Sequence, residues 1–250
     1  MAKQRLDEWL KISNKEYFDK QFANPYRSTV LFCDWLEKHG ILTSVSKQKI
    51  IDIGTGKGAN IYYLNQRFPK CTYLGLDINP LLIKEGNKFF EKQNINNCIL
   101  KIGDLYNLDQ DVLNEGYDGL LSFQTLSWLP EYERALDEFI KINPEWMAFT
   151  SLFYDGFVDC KIEVKEYFDS GNFEHPKVSF YNIYSLPKIK DFLSRRNYSQ
   201  FYYYKFNIDI DLPKPTHGFM QTYTQTLINE ERLQISGPIL MSWFFILAKK

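Results

Sequence analysis

A glycine-rich turn between an apolar strand and a helix constrains this 250-residue chain more than any other feature. Ile50-Ile51-Asp52-Ile53 reads as a short buried strand, Gly54-Thr55-Gly56-Lys57-Gly58 follows at once, and Ala59 to Arg67 continues as a helix. Glycines at such a turn let the backbone bend sharply and approach a ligand closely. The helix then points its free N-terminal amides at whatever the turn holds. The run also satisfies the G-x-G-x-x-G/A spacing of dinucleotide sites, so the turn alone leaves the ligand open.

The surrounding pattern sets the fold. Strands are expected at Lys49–Ile53, Thr72–Leu76, Cys98–Ile102, Tyr117–Phe123 and Trp146–Leu152. Helices alternate with them at 59–67, from Pro80 to about Gln93, and from about Pro130 to Ile142. Strands that alternate with helices imply crossover units and a parallel sheet covered on both faces. The expected class is therefore α/β, Rossmann-like, in one domain. Residues 1–45 form a helical N-terminal lid, in which Trp9, Leu10, Tyr17, Phe18 and Phe22 recur at helical spacing and Ser28–Lys38 makes a second helix closed by Gly40. Residues 46–152 form the core, 153–185 a β-rich insertion after strand five, and 186–250 complete the sheet. The insertion carries strands at 158–168 and 178–184. After a helix at 187–195 come strands at 201–208, 219–227, 232–236 and 239–248, with a hairpin turn at Asn229-Glu230-Glu231.

Three acids narrow the ligand. Asp77 ends strand two, where a carboxylate accepts hydrogen bonds from ribose hydroxyls. Asp52 precedes the glycines, a place that suits an ammonium group and repels a pyrophosphate. Asp104 ends strand three, where it can accept from an adenine amino group while the Leu105 amide donates to the ring.

With these residues in view the chain resembles the class I S-adenosylmethionine-dependent methyltransferases, over about residues 49–152 and less specifically in the final strands. The resemblance implies a seven-stranded, mostly parallel sheet with antiparallel final strands, and S-adenosyl-L-methionine as cofactor. It implies that Asp52, Gly54, Thr55 and Gly56 surround the methionine part, that Asp77 holds the ribose, that Ile78 packs on the adenine, and that Asp104 and Leu105 meet its edge. The segment Ser122 to Pro130 matches the family's fourth motif, which implies that the Gln124 backbone lies near the transferred methyl. Position 124 does not begin an Asn/Asp-Pro-Pro-Tyr/Phe sequence, so methylation of nucleobase or glutamine amino groups is disfavoured. No carboxylate cluster suggests a divalent metal.

Other candidates rest on residue chemistry. Arg27 offers a guanidinium fork for a cofactor carboxylate, and Tyr17 can close over the cofactor. His217, His175, Asp155 and Tyr154 are candidate general bases for a hydroxyl acceptor. His39 sits at a helix C-terminus, which explains it without catalysis. Trp128 follows strand four, beside the expected acceptor position. Residues 151–250 carry 21 of the 42 aromatics and residues 51–150 only 14, so the excess lies where an acceptor would be recognised.

The expected activity is methyl transfer to a small-molecule acceptor, a sugar-type hydroxyl being one class. A methyltransferase acting on protein or RNA is the alternative, and a nicotinamide oxidoreductase and a catalytically dead binding module are less favoured. Thirty basic against 31 acidic residues give a net charge of -1, which disfavours nucleic-acid partners. No apolar run reaches the ~20 residues of a spanning helix. Four scattered cysteines without a CxxC pair fit a reducing compartment, so a cytoplasmic protein is expected.

Overall fold

The computed structural model describes residues 20–167, 173–174, 176–216 and 220–250. Its central strands alternate their side chains between two apolar layers, as a period of two requires when both faces are covered. Strand β1 (Lys49–Ile53) sends Ile51 and Ile53 to one layer and Ile50 to the other. Four more strands follow in chain order: β2 (Thr72–Asp77), β3 (Cys98–Ile102), β4 (Gly119–Phe123) and β5 (Trp146–Tyr154). In β5, Met147, Phe149 and Phe153 join the first layer, and Trp146, Ala148 and Leu152 the second.

Helices α1 (Arg27–Lys38), α2 (Ala59–Arg67) and α3 (Pro80–Lys92) cover the second layer, through Phe32, Leu36, Ile61, Leu64, Ile83 and Phe90. Helices α4 (Gln110–Asn114), α5 (Glu133–Lys141) and α6 (Leu186–Ser194) cover the first, through Val112, Ala135, Leu136, Phe139, Ile189 and Leu193. Upstream of α1, Phe22 stacks on Phe89 of α3 at 3.9 Å. Trp9, Leu10, Tyr17 and Phe18 lie outside the described residues.

Within the insertion, β6 (Glu163–Glu166) and β7 (Lys177–Phe180) pair as an antiparallel ribbon, and β8 (Tyr184–Ser185) lies parallel to the end of β5. Then come β9 (Gln200–Lys205), β10 (Thr222–Thr226), β11 (Arg232–Ser236), β12 (Ile239–Leu240) and β13 (Trp243–Lys249). The main sheet runs β3-β2-β1-β4-β5-β13-β9, with β13 antiparallel to both its neighbours. This is the expected seven-stranded path, and the two-residue β8 adds an eighth strand beside β5.

Beyond shifts of a few residues at strand ends, three expected strands differ. The stretch 178–184 divides into β7 and β8, with 181–183 outside both. The stretch 158–168 pairs only over Glu163–Glu166, because Val158 is exposed and Cys160 makes a single bridge to Ile183. The stretch 239–248 breaks at Met241-Ser242. Before the break, Ile239 pairs back onto Ser236 across the Gly237-Pro238 turn, making a separate three-stranded sheet of β10, β11 and β12. After it, the chain crosses into the main sheet. No described helix is long and apolar enough to cross a membrane.

Helix α3 is pressed onto the glycine turn. Lys57 is buried and ion-paired with Glu85. A Cβ added at Gly86 would lie 2.4 Å from both the Lys57 carbonyl oxygen and Leu100 Cδ1. Alanine is about 1 kcal/mol better than glycine inside a helix, but overpacking against a fixed backbone atom costs about 1–3 kcal/mol. Gly86→Ala is therefore expected to lower stability by about 1–2 kcal/mol in urea unfolding. An equally stable or more stable variant would show that α3 does not rest on the turn.

Candidate functional site

A cleft of about 210 Å³ opens at the C-terminal ends of the parallel strands. Strand order reverses there, with β1 lying between β2 and β4, and open α/β sheets bind ligands at such a point. Most of its polar side chains follow the ends of strands, and residues upstream of α1, in α2 and α3 and in the turn after β4 complete it.

The glycine turn comes first. The Gly54 and Thr55 amides both donate to the Leu76 carbonyl at the end of β2, at 2.8 and 3.0 Å. Gly54 adopts φ +81°, and a Cβ there would stand 2.3 Å from Thr125 Oγ1. Any side chain would collide with the loop after β4 and also carry left-handed strain. Asp77 stands half-buried opposite. Its Oδ2 accepts from the Gly56 amide at 2.8 Å and its Oδ1 from the Asn79 amide at 2.9 Å. Asn79 caps α3 by accepting from the Leu81 and Leu82 amides. The Asp77 carboxylate is thus held in one orientation. Burial pushes its pKa up, and the amides of Asn79 and Gly56 pull the other way.

Asp52, the residue before Ile53, is 1% exposed, and among the described residues its carboxylate oxygens make no well-formed hydrogen bond, although the nearby Thr55 hydroxyl eases its charge. Burial pushes its pKa up to about 7. Buried carboxylates ordinarily have well-formed partners, which this one lacks among the described residues. Asp104 closes β3, and its Oδ1 accepts from the Tyr106 amide at 2.9 Å. Gln124, after β4, takes φ +51°, a left-handed conformation uncommon for a side chain of this kind. Its amide is held by the Thr150 carbonyl at 2.7 Å. Strain of this sort persists where surrounding bonds enforce it, and it collects at functional sites.

Of the residues expected from the sequence, Gly54, Thr55, Gly56, Asp77, Ile78, Asp104, Leu105 and Gln124 line this one cleft, and Asp52 is buried and does not line it, though its neighbour Ile53 does. Trp128 lines it too. Arg27 does not: its guanidinium forms a two-pronged ion pair with Asp209, and the preceding Tyr26 faces the cleft instead. The expected pairing of Arg27 with a cofactor carboxylate is corrected accordingly. Tyr154 and Asp155 also stand apart. Strand β5 runs past the cleft, Tyr154 is 52% exposed, and Asp155 accepts from the Tyr203 hydroxyl at 3.0 Å. Tyr17, His175 and His217 lie outside the described residues. Sequence reasoning missed Gln21, Asn60, Thr125 and Leu129. Asn60 follows the glycine turn by two residues, and Thr125 and Leu129 sit in the singled-out 122–130 segment. Gln21 carries no signal of its own, and its side chain donates to the Tyr26 hydroxyl at 3.0 Å.

A family model described as a methyltransferase domain matches residues 44–170. The chain is 27% identical over 150 residues to the uncharacterized protein RP028 of Rickettsia prowazekii, covering 57% of this chain and 59% of that protein. It is 32% identical over 88 residues to trans-aconitate 2-methyltransferase of Deinococcus radiodurans, covering 35% and 31%. The chain thus spans between about a third and three-fifths of the length of these relatives. A crystal structure of a SAM-dependent methyltransferase from Aquifex aeolicus shares the fold at a TM-score of 0.53 and 14% identity, covering 95% of this chain and 98% of that one.

The state of Asp52 has a measurable sign. Its carboxyl is raised in the folded chain, so the folded form holds a proton that the unfolded chain gives up. The contribution of Asp52 to the stability of the ligand-free protein is therefore fully present below about pH 4 and is lost as pH rises toward about 7. At about 1.4 kcal/mol per unit the loss is on the order of 4 kcal/mol. An unpartnered amide in the same place costs about 1–3 kcal/mol. Asp52→Asn is expected to stabilise the ligand-free protein at pH 8 by about 1–3 kcal/mol and to flatten the decline between pH 5 and 7. Denaturant titrations at several pH values check this, and a destabilised variant with an unchanged pH profile would contradict it.

Proposed function

Because the chain belongs to the methyltransferase-domain family, within the class I S-adenosylmethionine-dependent methyltransferases, we propose that its cleft binds S-adenosyl-L-methionine and delivers the methyl group to a small, neutral acceptor. The observation that carries this reading is the charge of the cleft. Its charged lining residues, among those described, are Asp77 and Asp104, and the buried Asp52 neighbours the lining Ile53. A sulfonium with an ammonium nearby suits such a site, and a pyrophosphate does not.

The residues divide the work. Asp77, oriented by two backbone amides, accepts from the ribose hydroxyls. Ile78 packs on the adenine, Asp104 accepts from its amino group, and the Leu105 amide donates to the ring edge. Asp52 neutralises the ammonium, which offsets the burial of its own charge. The cofactor supplies an electrophilic methyl group on a positively charged sulfur. The chain's task is then to align an acceptor atom in line with the methyl–sulfur bond and to exclude water, which contributes about 7–11 kcal/mol in well-oriented systems. Gln124 fixes the backbone at that point. Phe123, Trp128 and Tyr26 supply apolar walls, and the amides of Gln21 and Asn60 offer hydrogen bonds.

That lining supports an uncharged acceptor with hydroxyl groups and an apolar face, as a sugar-type metabolite has. Aromatic rings accept such a face, and side-chain amides bond the hydroxyls. Lys and Arg are missing from the described lining residues, which disfavours a polyanionic acceptor such as the one in the name of the Deinococcus relative. A hydroxyl acceptor needs a base. Of the four sequence candidates, Tyr154 and Asp155 stand away from the cleft, so His175 and His217 are the ones to test.

Calorimetric titration distinguishes the cofactor readings. S-adenosylhomocysteine is expected to bind at least tenfold more tightly than NAD, and Asp77→Ala to weaken it at least tenfold, one lost charge-assisted hydrogen bond being worth about 1.5–3 kcal/mol. Tighter binding of NAD, or an unchanged affinity in a folded Asp77→Ala variant, would overturn the assignment. For the acceptor, methyl-labelled cofactor incubated with metabolite extracts is expected to label the small-molecule fraction. Label confined to protein or RNA would contradict a small acceptor.

A further inference from the structure

A side chain far along the sequence holds the acceptor wall in place. Asn182 lies between β7 and β8, in the insertion, and is fully buried. Its two Nδ2 hydrogens go to the Leu129 carbonyl at 2.7 Å and to the Tyr184 hydroxyl oxygen at 3.0 Å. Its Oδ1 accepts from the Ile162 amide at 2.8 Å, and its own amide donates to the Ser127 carbonyl at 2.9 Å. The Tyr184 hydroxyl donates in turn to Leu129, at 3.1 Å. The orientation of the side-chain amide follows, since only Nδ2 can donate to a carbonyl and only Oδ1 can accept from an amide.

These bonds converge on one short turn, the 3-10 segment Leu126–Trp128 together with Leu129. The other side of that turn is anchored to β5. The Ser127 amide donates to Ser151 Oγ at 2.9 Å, the two serine hydroxyls stand 2.6 Å apart, and the Leu152 amide donates to Ser127 Oγ at 2.9 Å. Trp128 and Leu129, both in the cleft lining, are therefore held between a strand of the main sheet and a residue of the insertion. The neighbour of Asn182 reinforces this. Tyr181 packs edge-to-face on Trp128, with ring centroids 4.2 Å apart.

We propose that Asn182 is a positioning residue for methyl transfer: it locks the Ser127–Leu129 backbone to the insertion so that Trp128, backed by Tyr181, presents one fixed face to the acceptor. The proposal rests on the reading of the cleft as a methyl-transfer site, with the cofactor half formed by the glycine turn, Asp77 and Asp104. Asn182 touches none of the cofactor half. Its loss should therefore disturb the acceptor side and spare cofactor binding. A buried, fully satisfied polar network of this kind specifies one conformation where apolar packing would allow several.

The test separates the two halves. Protein labelled with 5-fluorotryptophan gives a resonance for Trp128, identified by its disappearance in Trp128→Phe, and S-adenosylhomocysteine affinity is measured by calorimetry on the same samples. In Asn182→Ala and in Asn182→Asp, which keeps the acceptor but loses both donors, the Trp128 resonance is expected to shift or broaden. Trp243, whose ring stands edge-on to Trp128 with centroids 6.0 Å apart, is expected to respond with it, the remaining tryptophan resonances should stay in place, and affinity should change less than threefold. Tyr181→Leu, which removes the ring and leaves the bonds, serves if Asn182→Ala does not fold, and is expected to move the signals of Trp128 and its neighbour Trp243 but no others. An unmoved Trp128 signal in folded Asn182 variants would overturn the proposal. So would a parallel loss of affinity with shifts at every tryptophan, which marks general structural damage. If wild-type protein does not bind S-adenosylhomocysteine, the reading of the site fails by itself, and the resonance data still report whether Asn182 fixes Trp128.

Discussion

Two amides that converge on one carbonyl hold the site together. Gly54 and Thr55 both donate to Leu76, which welds the end of β1 and its turn to the end of β2. One residue further on, the Gly56 amide binds the Asp77 carboxylate. The turn and the acid are consequently one rigid unit, and neither can move without breaking bonds of the other. Everything downstream leans on that unit. Thr125 occupies the space left by the missing Gly54 side chain, and α3 rests on the Lys57 carbonyl through Gly86.

Electrostatics give the unit its selectivity. Asp77 is satisfied by backbone amides, while Asp52 is buried without a well-formed hydrogen bond among the described residues. A protein tolerates such a group when a ligand completes it, because an unpaired buried charge otherwise takes up a proton. The same arrangement weakens the ligand-free protein above neutral pH and, in the proposed function, receives the cofactor's ammonium. Stability and function pull against each other at this residue, a common pattern at binding sites.

Much of this was legible in the sequence because the cofactor half is local. Strand, turn and helix follow one another between Lys49 and Arg67, and Asp77, Asp104 and Gln124 each end a strand, so chain order alone brings them to one edge of the sheet. What was not legible depends on side chains meeting across long separations. Arg27 carries the right chemistry for a carboxylate, but Asp209, 182 residues away, takes it. Tyr26, one position earlier, is the extended residue that precedes α1 (φ -59°, ψ 141°), so its side chain reaches the cleft in a direction that the helical Arg27 does not share. Asn182 looked like any polar residue in an aromatic stretch, and its role arises only when the insertion folds back onto Ser127 and Leu129. The break at Met241-Ser242 was hidden for a similar reason: the apolar run is continuous, but Gly237 turns the chain and the two pieces join different sheets.

The account stands or falls on where the ligand lies. A crystal structure of the protein with S-adenosylhomocysteine tests it most directly. The predicted result is a ribose on Asp77, an adenine edge at Asp104 and Leu105, an ammonium drawing on Asp52, and a sulfur pointing past Gln124 toward Trp128. A ligand bound elsewhere, or bound in this cleft with its ammonium remote from Asp52 and its ribose remote from Asp77, would contradict it.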